Sequence, residues 1–353
     1  MKRNVIHKDQ KADRYAKARQ EEFKKQKEES SQTEVKKYQV SVRNHVVLKN
    51  SASFMEGFED FIKDTQENQV TSTGFKKLDA MLRYGLHKGS YFVDSQPQYL
   101  KNIFMQQMAD RAAEKGTDVL FISTELSRYD LMVDTISRLS YEMSGTNPDE
   151  AVSSMEIMSG SAGDGIASLR DELNWYRGRI SEHLFILDQN AIEDYADSSD
   201  ATSAGAIITE LISSIVQEGV KKPVVIIDNL ENLLPAEDPE EMRPLMEALS
   251  KLAKELGIPI LMSYGYTPLE SDEAMYPEEM EFNEEIGYMC DVYLELGYAD
   301  MVTEDACELT DEDIQDLVEQ GRKLLVDVML HKNRRNMRAS CQVQAAPKYN
   351  YFE

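Results

Sequence analysis

The chain has 353 residues, 41% hydrophobic and 29% charged, which is enough apolar material for a packed core and argues against wholesale disorder. Its net charge of −25 is unevenly held: residues 1–50 carry 14 Lys/Arg against 7 Asp/Glu, the remaining 303 carry 25 against 57. So acidic a body repels nucleic acid unless cations cluster locally. No run approaches the ~18 apolar residues of a membrane helix, and charge follows Met1-Lys2-Arg3-Asn4 where a secretory signal would be apolar. Three scattered cysteines (Cys290, Cys307, Cys341) form neither a CxxC nor a zinc spacing, which points to a reducing, cytoplasmic setting.

In chain order, residues 8–29 read as a charged helix. Its stripe of Ala12, Tyr15, Ala16 and Phe23 is too thin to fold alone. It is either a solvated tail or a basic arm for single-stranded DNA or a partner. Residues 30–53 read as a linker, so 1–53 form a basic arm and linker. Residues 54–69 are a linker helix: Phe54, Met55, Phe58, Phe61 and Ile62 recur at helical spacing, and that face needs burial against its own core or a neighbouring subunit. From Val70 to Glu353 strands and helices alternate. Strands are expected at Tyr91–Val93, Asp118–Ser123, Leu184–Leu187, Pro223–Ile227, Ile258–Met262, Val292–Leu296 and Leu324–Leu330. Helices are expected at Ile103–Lys115, Asp130–Met143, Ile207–Glu218 and Met242–Leu256. Fully apolar strands between helices imply an α/β fold with a mostly parallel sheet flanked by helices. Residues 144–165 and 188–204 read as surface insertions, and 268–289, strongly acidic, as a long loop.

The segment Ser95-Gln96-Pro97-Gln98-Tyr99-Leu100-Lys101-Asn102 sits between the first core strand and its helix, where a phosphate loop GxxxxGK[ST] would stand. Such a loop works because glycines let backbone N–H groups close on phosphate, a lysine adds charge and a hydroxyl holds Mg²⁺. Here Ser95 replaces the first glycine, Leu100 the second and Asn102 the hydroxyl residue; only Lys101 remains. Leu100 puts an isobutyl group where backbone must approach phosphate. By itself Lys101 is equally an ordinary first-turn helix residue.

The flanking segments resemble the C-terminal motor domain of DnaB-type replicative helicases, a hexameric RecA-like family. They are Thr73-Gly74-Phe75-Lys76-Lys77-Leu78-Asp79 with Gly85-Leu86-His87-Lys88-Gly89-Ser90, Phe121-Ile122-Ser123-Thr124-Glu125-Leu126-Ser127, Val224-Val225-Ile226-Ile227-Asp228-Asn229-Leu230, Ile258-Pro259-Ile260-Leu261-Met262-Ser263, His331-Lys332-Asn333-Arg334 and the closing Tyr349-Asn350-Tyr351-Phe352-Glu353. The resemblance spans about Val70 to Glu353 and implies a RecA-like P-loop NTPase fold with ATP and Mg²⁺ as cofactors. It makes Glu125 the carboxylate that polarises water, Asp228 the Walker B acid, with Asn102 the other candidate metal-side residue, and Lys332 and Arg334 a finger pair reaching a neighbour's γ-phosphate. Ser95, Lys101, Asn102 and Asp228 would then hold nucleotide. The family's glutamine after Ser263 is Tyr264 here. Other readings stay open: Glu125 as a charge near a helix start, Asp228 as a structural strand-end acid, Lys332 and Arg334 as part of a solvated turn. The implied partners are further copies in a ring, or a mixed ring with a DnaB-type helicase. The expected function is that of a degenerate ATPase, an assembly or regulatory subunit in DNA replication or mobile-element maintenance. The alternative is an active ATP-dependent helicase with an atypical loop.

Overall fold

The computed structural model describes residues 21, 39–42, 46–67, 70–161, 165–198, 203–233, 239–265, 277–299 and 310–353. The expected charged helix at 8–29 lies almost wholly outside them, as do Cys307 and residues 268–276 of the acidic stretch. The chain divides into two units, Met1–Gln69 and Val70–Glu353.

In the first unit, β1 (Gln39–Val42) and β2 (Val46–Lys49) form an antiparallel hairpin, where the sequence reads as linker. The helix Met55–Glu67 follows a single turn at Ser51–Phe54. Phe54, Met55, Phe58, Phe61 and Ile62 are all solvent-exposed.

Among the described residues of the second unit nine strands form one sheet: β3 (Gly89–Gln96), β4 (Val119–Ser123), β5 (Leu184–Leu187), β6 (Val224–Asp228), β7 (Pro259–Met262), β8 (Val292–Tyr298), β9 (Leu324–Asn333), β10 (Ala339–Ala346) and β11 (Tyr351–Phe352). Their order is β11-β10-β9-β8-β3-β7-β6-β4-β5. From β8 to β5 neighbours run parallel, while β9, β10 and β11 are joined antiparallel. The sheet is therefore mixed, because the chain closes with consecutive strands that need no helical crossover.

Strands buried on both faces explain the unbroken apolar runs. Along β6, Val224 and Ile226 pack on one face with Phe104, Met108 and Leu139; Val225 and Ile227 pack on the other with Ile208, Met246 and Ile286. Helices Tyr99–Glu114 and Arg128–Met143 cover the first face. Helices Ala204–Glu218, Pro239–Leu256 and Pro277–Met289 cover the second. The last of these corrects the reading of 268–289 as loop. Phe282 and Ile286, four residues apart, are buried while the acids around them dominate the composition. Likewise the two insertions contain short helices, Ser154–Ser159 and Gln189–Ser198. Gly85, at φ +134°, lets the lead-in chain pair Leu86 with Thr71: a Cβ there would stand 2.3 Å from the Thr71 carbonyl oxygen. Among the described residues no helix is long and apolar enough to cross a membrane.

Candidate functional site

The C-terminal ends of parallel strands are where open α/β sheets place their ligand crevices. Here those ends bring together Asp94 and Ser95 of β3, Thr124 and Glu125 after β4, Asp228 closing β6, and Ser263 and Tyr264 after β7. Ser127 caps the next helix in a reciprocal box with Asp130, which fixes the turn carrying Glu125. Thr124 Oγ1 donates to the Asn229 carbonyl (2.9 Å) and accepts from the Asn229 amide (3.1 Å), tying the β4 and β6 ends. Asn229 Nδ2 donates to Glu125 Oε1 at 2.6 Å. The helix is thus capped by Ser127, and exposed Glu125 faces the β6 turn.

The phosphate-loop position is closed. β3 runs to Gln96 and the helix starts at Tyr99, so only Pro97 and Gln98 intervene. The Leu100 amide donates to the Pro97 carbonyl (3.2 Å), and the Lys101 amide to the Gln98 carbonyl (3.3 Å) and to Ser95 Oγ (2.9 Å). Ser95 Oγ in turn donates to the Pro97 carbonyl at 2.8 Å. Two of the donors that a phosphate nest would present, the Leu100 and Lys101 amides, are spent within the turn. The Leu100 side chain is fully buried in the core. A Cβ at Gly265 would meet Asn229 Nδ2 and Gln98 Oε1 at 3.1 Å each, so the other side of the corner is close-packed too.

Lys101 is buried, and its ammonium donates to the Tyr264 carbonyl at 2.6 Å. Burial lowers its pKa, while Asp94, Asp228, Glu125 and Glu231 pull it upward. One cation therefore faces four carboxylates. Burial pushes Asp228 up to about 6, against a hydrogen bond from Ser263 Oγ (2.7 Å) and the Lys101 charge. Burial likewise pushes Asp94 up to about 6. Among the described residues Asn102 Oδ1 is buried without a hydrogen-bond partner, and Asn102 and Asp228 line one cavity of about 380 Å³ with Tyr99, Gln106 and Lys348. Among the described residues no three His, Cys, Asp or Glu side chains cluster to hold a metal ion. As arranged, this donor set does not fit a triphosphate: the Leu100 and Lys101 amides are taken, leucine fills the cradle, and the lysine is turned to a carbonyl.

Lys332 and Arg334 lie elsewhere. The Arg334 amide donates to the Asp291 carbonyl, and the Asp291 amide to that of Ser90, which places Arg334 level with the start of β3. Ser95 is five residues further along that strand, about 16 Å away at ~3.3 Å per residue. Arg334 pairs with Asp291 Oδ1 (2.9 Å) and keeps half its side chain exposed; Lys332 donates to the Tyr288 carbonyl. The structure thus brings Ser95, Lys101, Asn102, Glu125 and Asp228 to one corner and sets Lys332 and Arg334 at the opposite end of the sheet. Asp94 and Asn229 belong to the corner as well. Asp94 carried a readable signal, an acid closing the apolar run Tyr91-Phe92-Val93. Asn229 did not, because its role comes from a contact across two strands.

The fold resembles two solved structures. One is described as an ATPase domain (TM-score 0.61, 15% identity, 86% of this chain and 99% of that one). The other is a DnaB-like replicative helicase described with its primase interactions (TM-score 0.59, 16% identity, 86% and 67%). No protein-family model and no curated protein matches the sequence. At this identity the likeness shows the fold alone, an α/β fold with a largely parallel sheet flanked by helices.

Proposed function

We propose that the chain is a DnaB-like subunit with weak or no ATP hydrolysis, acting in assembly or regulation of a helicase ring in DNA replication or mobile-element maintenance. The observation that carries this reading is the closed turn at 95–101, where Ser95, Pro97 and Gln98 take the Leu100 and Lys101 amide hydrogens and the Leu100 side chain fills the space. Lys332 and Arg334, far from their own corner, are available to a neighbour's nucleotide. Such a subunit completes another's site without firing its own. The exposed Phe54, Phe58, Phe61 and Ile62 supply a face to pack on a second copy or on a DnaB-type partner. The basic N-terminal arm, residues 1–53, is the place for single-stranded DNA in an otherwise acidic chain.

Titration of the protein with ATP and Mg²⁺, followed by turnover with and without single-stranded DNA, tests this. The expected result is no saturation below millimolar ATP and no DNA-stimulated turnover. Micromolar affinity with stimulated hydrolysis would instead establish the second reading, an active motor with an atypical loop. That reading draws its support from the meeting of Lys101, Glu125 and Asp228 at one corner. Phe58→Asp with Phe61→Asp should dissociate any assembly in sedimentation velocity, and an unchanged coefficient would remove the helix from it.

A further inference from the structure

β5 is an edge strand: its only ladder partner among the described residues is β4. The Val119 amide donates to the His183 carbonyl, so odd-numbered residues face β4, and Leu184 and Ile186 present N–H and C=O groups outward. Phe185 is 40% exposed. It opens onto an apolar cleft of about 630 Å³ lined with Leu187, Tyr195, Leu211 and Ile215. The surround is acidic. Residues 177–222 hold eight Asp/Glu against four Lys/Arg, the cations standing at the two ends of the stretch (Arg177, Arg179, Lys221 and Lys222).

The β1–β2 hairpin has the complementary character. Its register sets Val40 opposite Leu48 and Val42 opposite Val46, so these four apolar positions share one face. A two-stranded hairpin is marginal in water and needs a further strand or an apolar surface. Residues 35–50 hold four Lys/Arg and no acid. We infer that the hairpin of one copy adds to the β5 edge of the next, continuing its sheet, with the apolar face over the Phe185 cleft and the basic flanks among the acids. The occupant is a second copy of this chain because the hairpin and the edge match in strand chemistry, apolarity and charge. The contact is head to tail, which closes into a ring or runs on as a filament. It rests on the reading of the chain as a subunit of such an array and names the surface that receives its neighbour.

Two sets of variants test it by sedimentation velocity of the full chain, with circular dichroism as the check on folding. The first breaks the edge, by Ile186→Pro, which removes an outward N–H that β4 does not use, or separately by Phe185→Asp. The second breaks the hairpin face, by Val40→Asp with Leu48→Asp. The wild type should self-associate, and each variant should associate at least tenfold more weakly. Because each contact uses one hairpin and one edge, mixing an edge variant with the hairpin variant should restore a single contact and give a 1:1 dimer that grows no further. A wild-type coefficient for folded edge and hairpin variants, or no dimer on mixing, overturns the inference. If assembly then still yields to Phe58→Asp with Phe61→Asp, the subunit reading survives and only the strand contact falls. A monomeric wild type overturns the strand contact, whereas ATP titration judges the nucleotide reading separately.

Discussion

Leu100 and Asn102 decide more of the chemistry than their size implies. If Leu100 alone closes the cradle, Leu100→Gly with Asn102→Thr should recover ATP affinity by at least tenfold in a fluorescent-nucleotide titration, since Lys101, Glu125 and Asp228 already stand at the corner. No gain would place the block in the turn's own hydrogen bonds. Asp228 supports a second prediction. Its folded pKa, about 6, lies above the ordinary value of 3.8, so the native state binds the proton more tightly. The associated stability is present at low pH and lost as pH rises through about 4 to 6. That difference corresponds to roughly 3 kcal/mol. Asp228→Asn retains the oxygen that accepts from Ser263 and removes the charge. It should stabilise the protein by about 1–3 kcal/mol at pH 7.5 and hardly at all at pH 4, read from urea unfolding at both. Parallel curves for wild type and variant across that range would show that this carboxyl does not titrate.

At the scale of elements, the central strands were legible because burial on both faces writes an apolar run into the sequence, as at Val224–Ile227 and Ile258–Met262. The elements that escaped are those whose burial is one-sided. β10, Ala-Ser-Cys-Gln-Val-Gln-Ala-Ala, is buried only in its last four residues and there interrupted by exposed Gln344. The helix Pro277–Met289 hides Phe282 and Ile286 among acids. For the candidate site the sequence located Lys101, Glu125 and Asp228, but not the closed turn, because which carbonyls take which amides depends on packing around Leu100. Nor could it show the pairing of Asp110 with Arg138 between helices Tyr99–Glu114 and Arg128–Met143. There Arg138 donates to buried Asp110 (3.0 Å) and to Glu142 (2.9 Å). Arg138→Met should cost about 3–5 kcal/mol by leaving that carboxylate unpaired, and Asp110→Leu with Arg138→Met should recover most of it. Burial already raises the Asp110 pKa, so the single variant's deficit should shrink as pH falls. Urea unfolding of the three proteins at pH 7.5 and 5 measures both effects, and a pH-independent deficit would argue for lost packing instead.

Across the whole molecule the sheet separates two chemistries. One end carries a corner where one buried lysine faces four carboxylates. The other presents Arg334, half exposed and held by Asp291, beside Lys332. Because about 16 Å of strand lies between them, Arg334 cannot serve its own chain's corner without a change of fold. Arg334→Ala with Lys332→Ala should therefore leave the chain's own nucleotide response unchanged. It should also leave its stability within about 1 kcal/mol, since an exposed ion pair contributes little. The effect belongs in trans. Mixed with an active DnaB-type helicase, the wild-type chain should change ATP turnover severalfold while the double variant should not, though both should co-sediment with the partner. Equal effects from the two proteins would relieve this basic pair of any part in a neighbour's site. A change in the isolated chain's own nucleotide affinity would mean that the two ends of the sheet communicate within one subunit, which this geometry does not provide for.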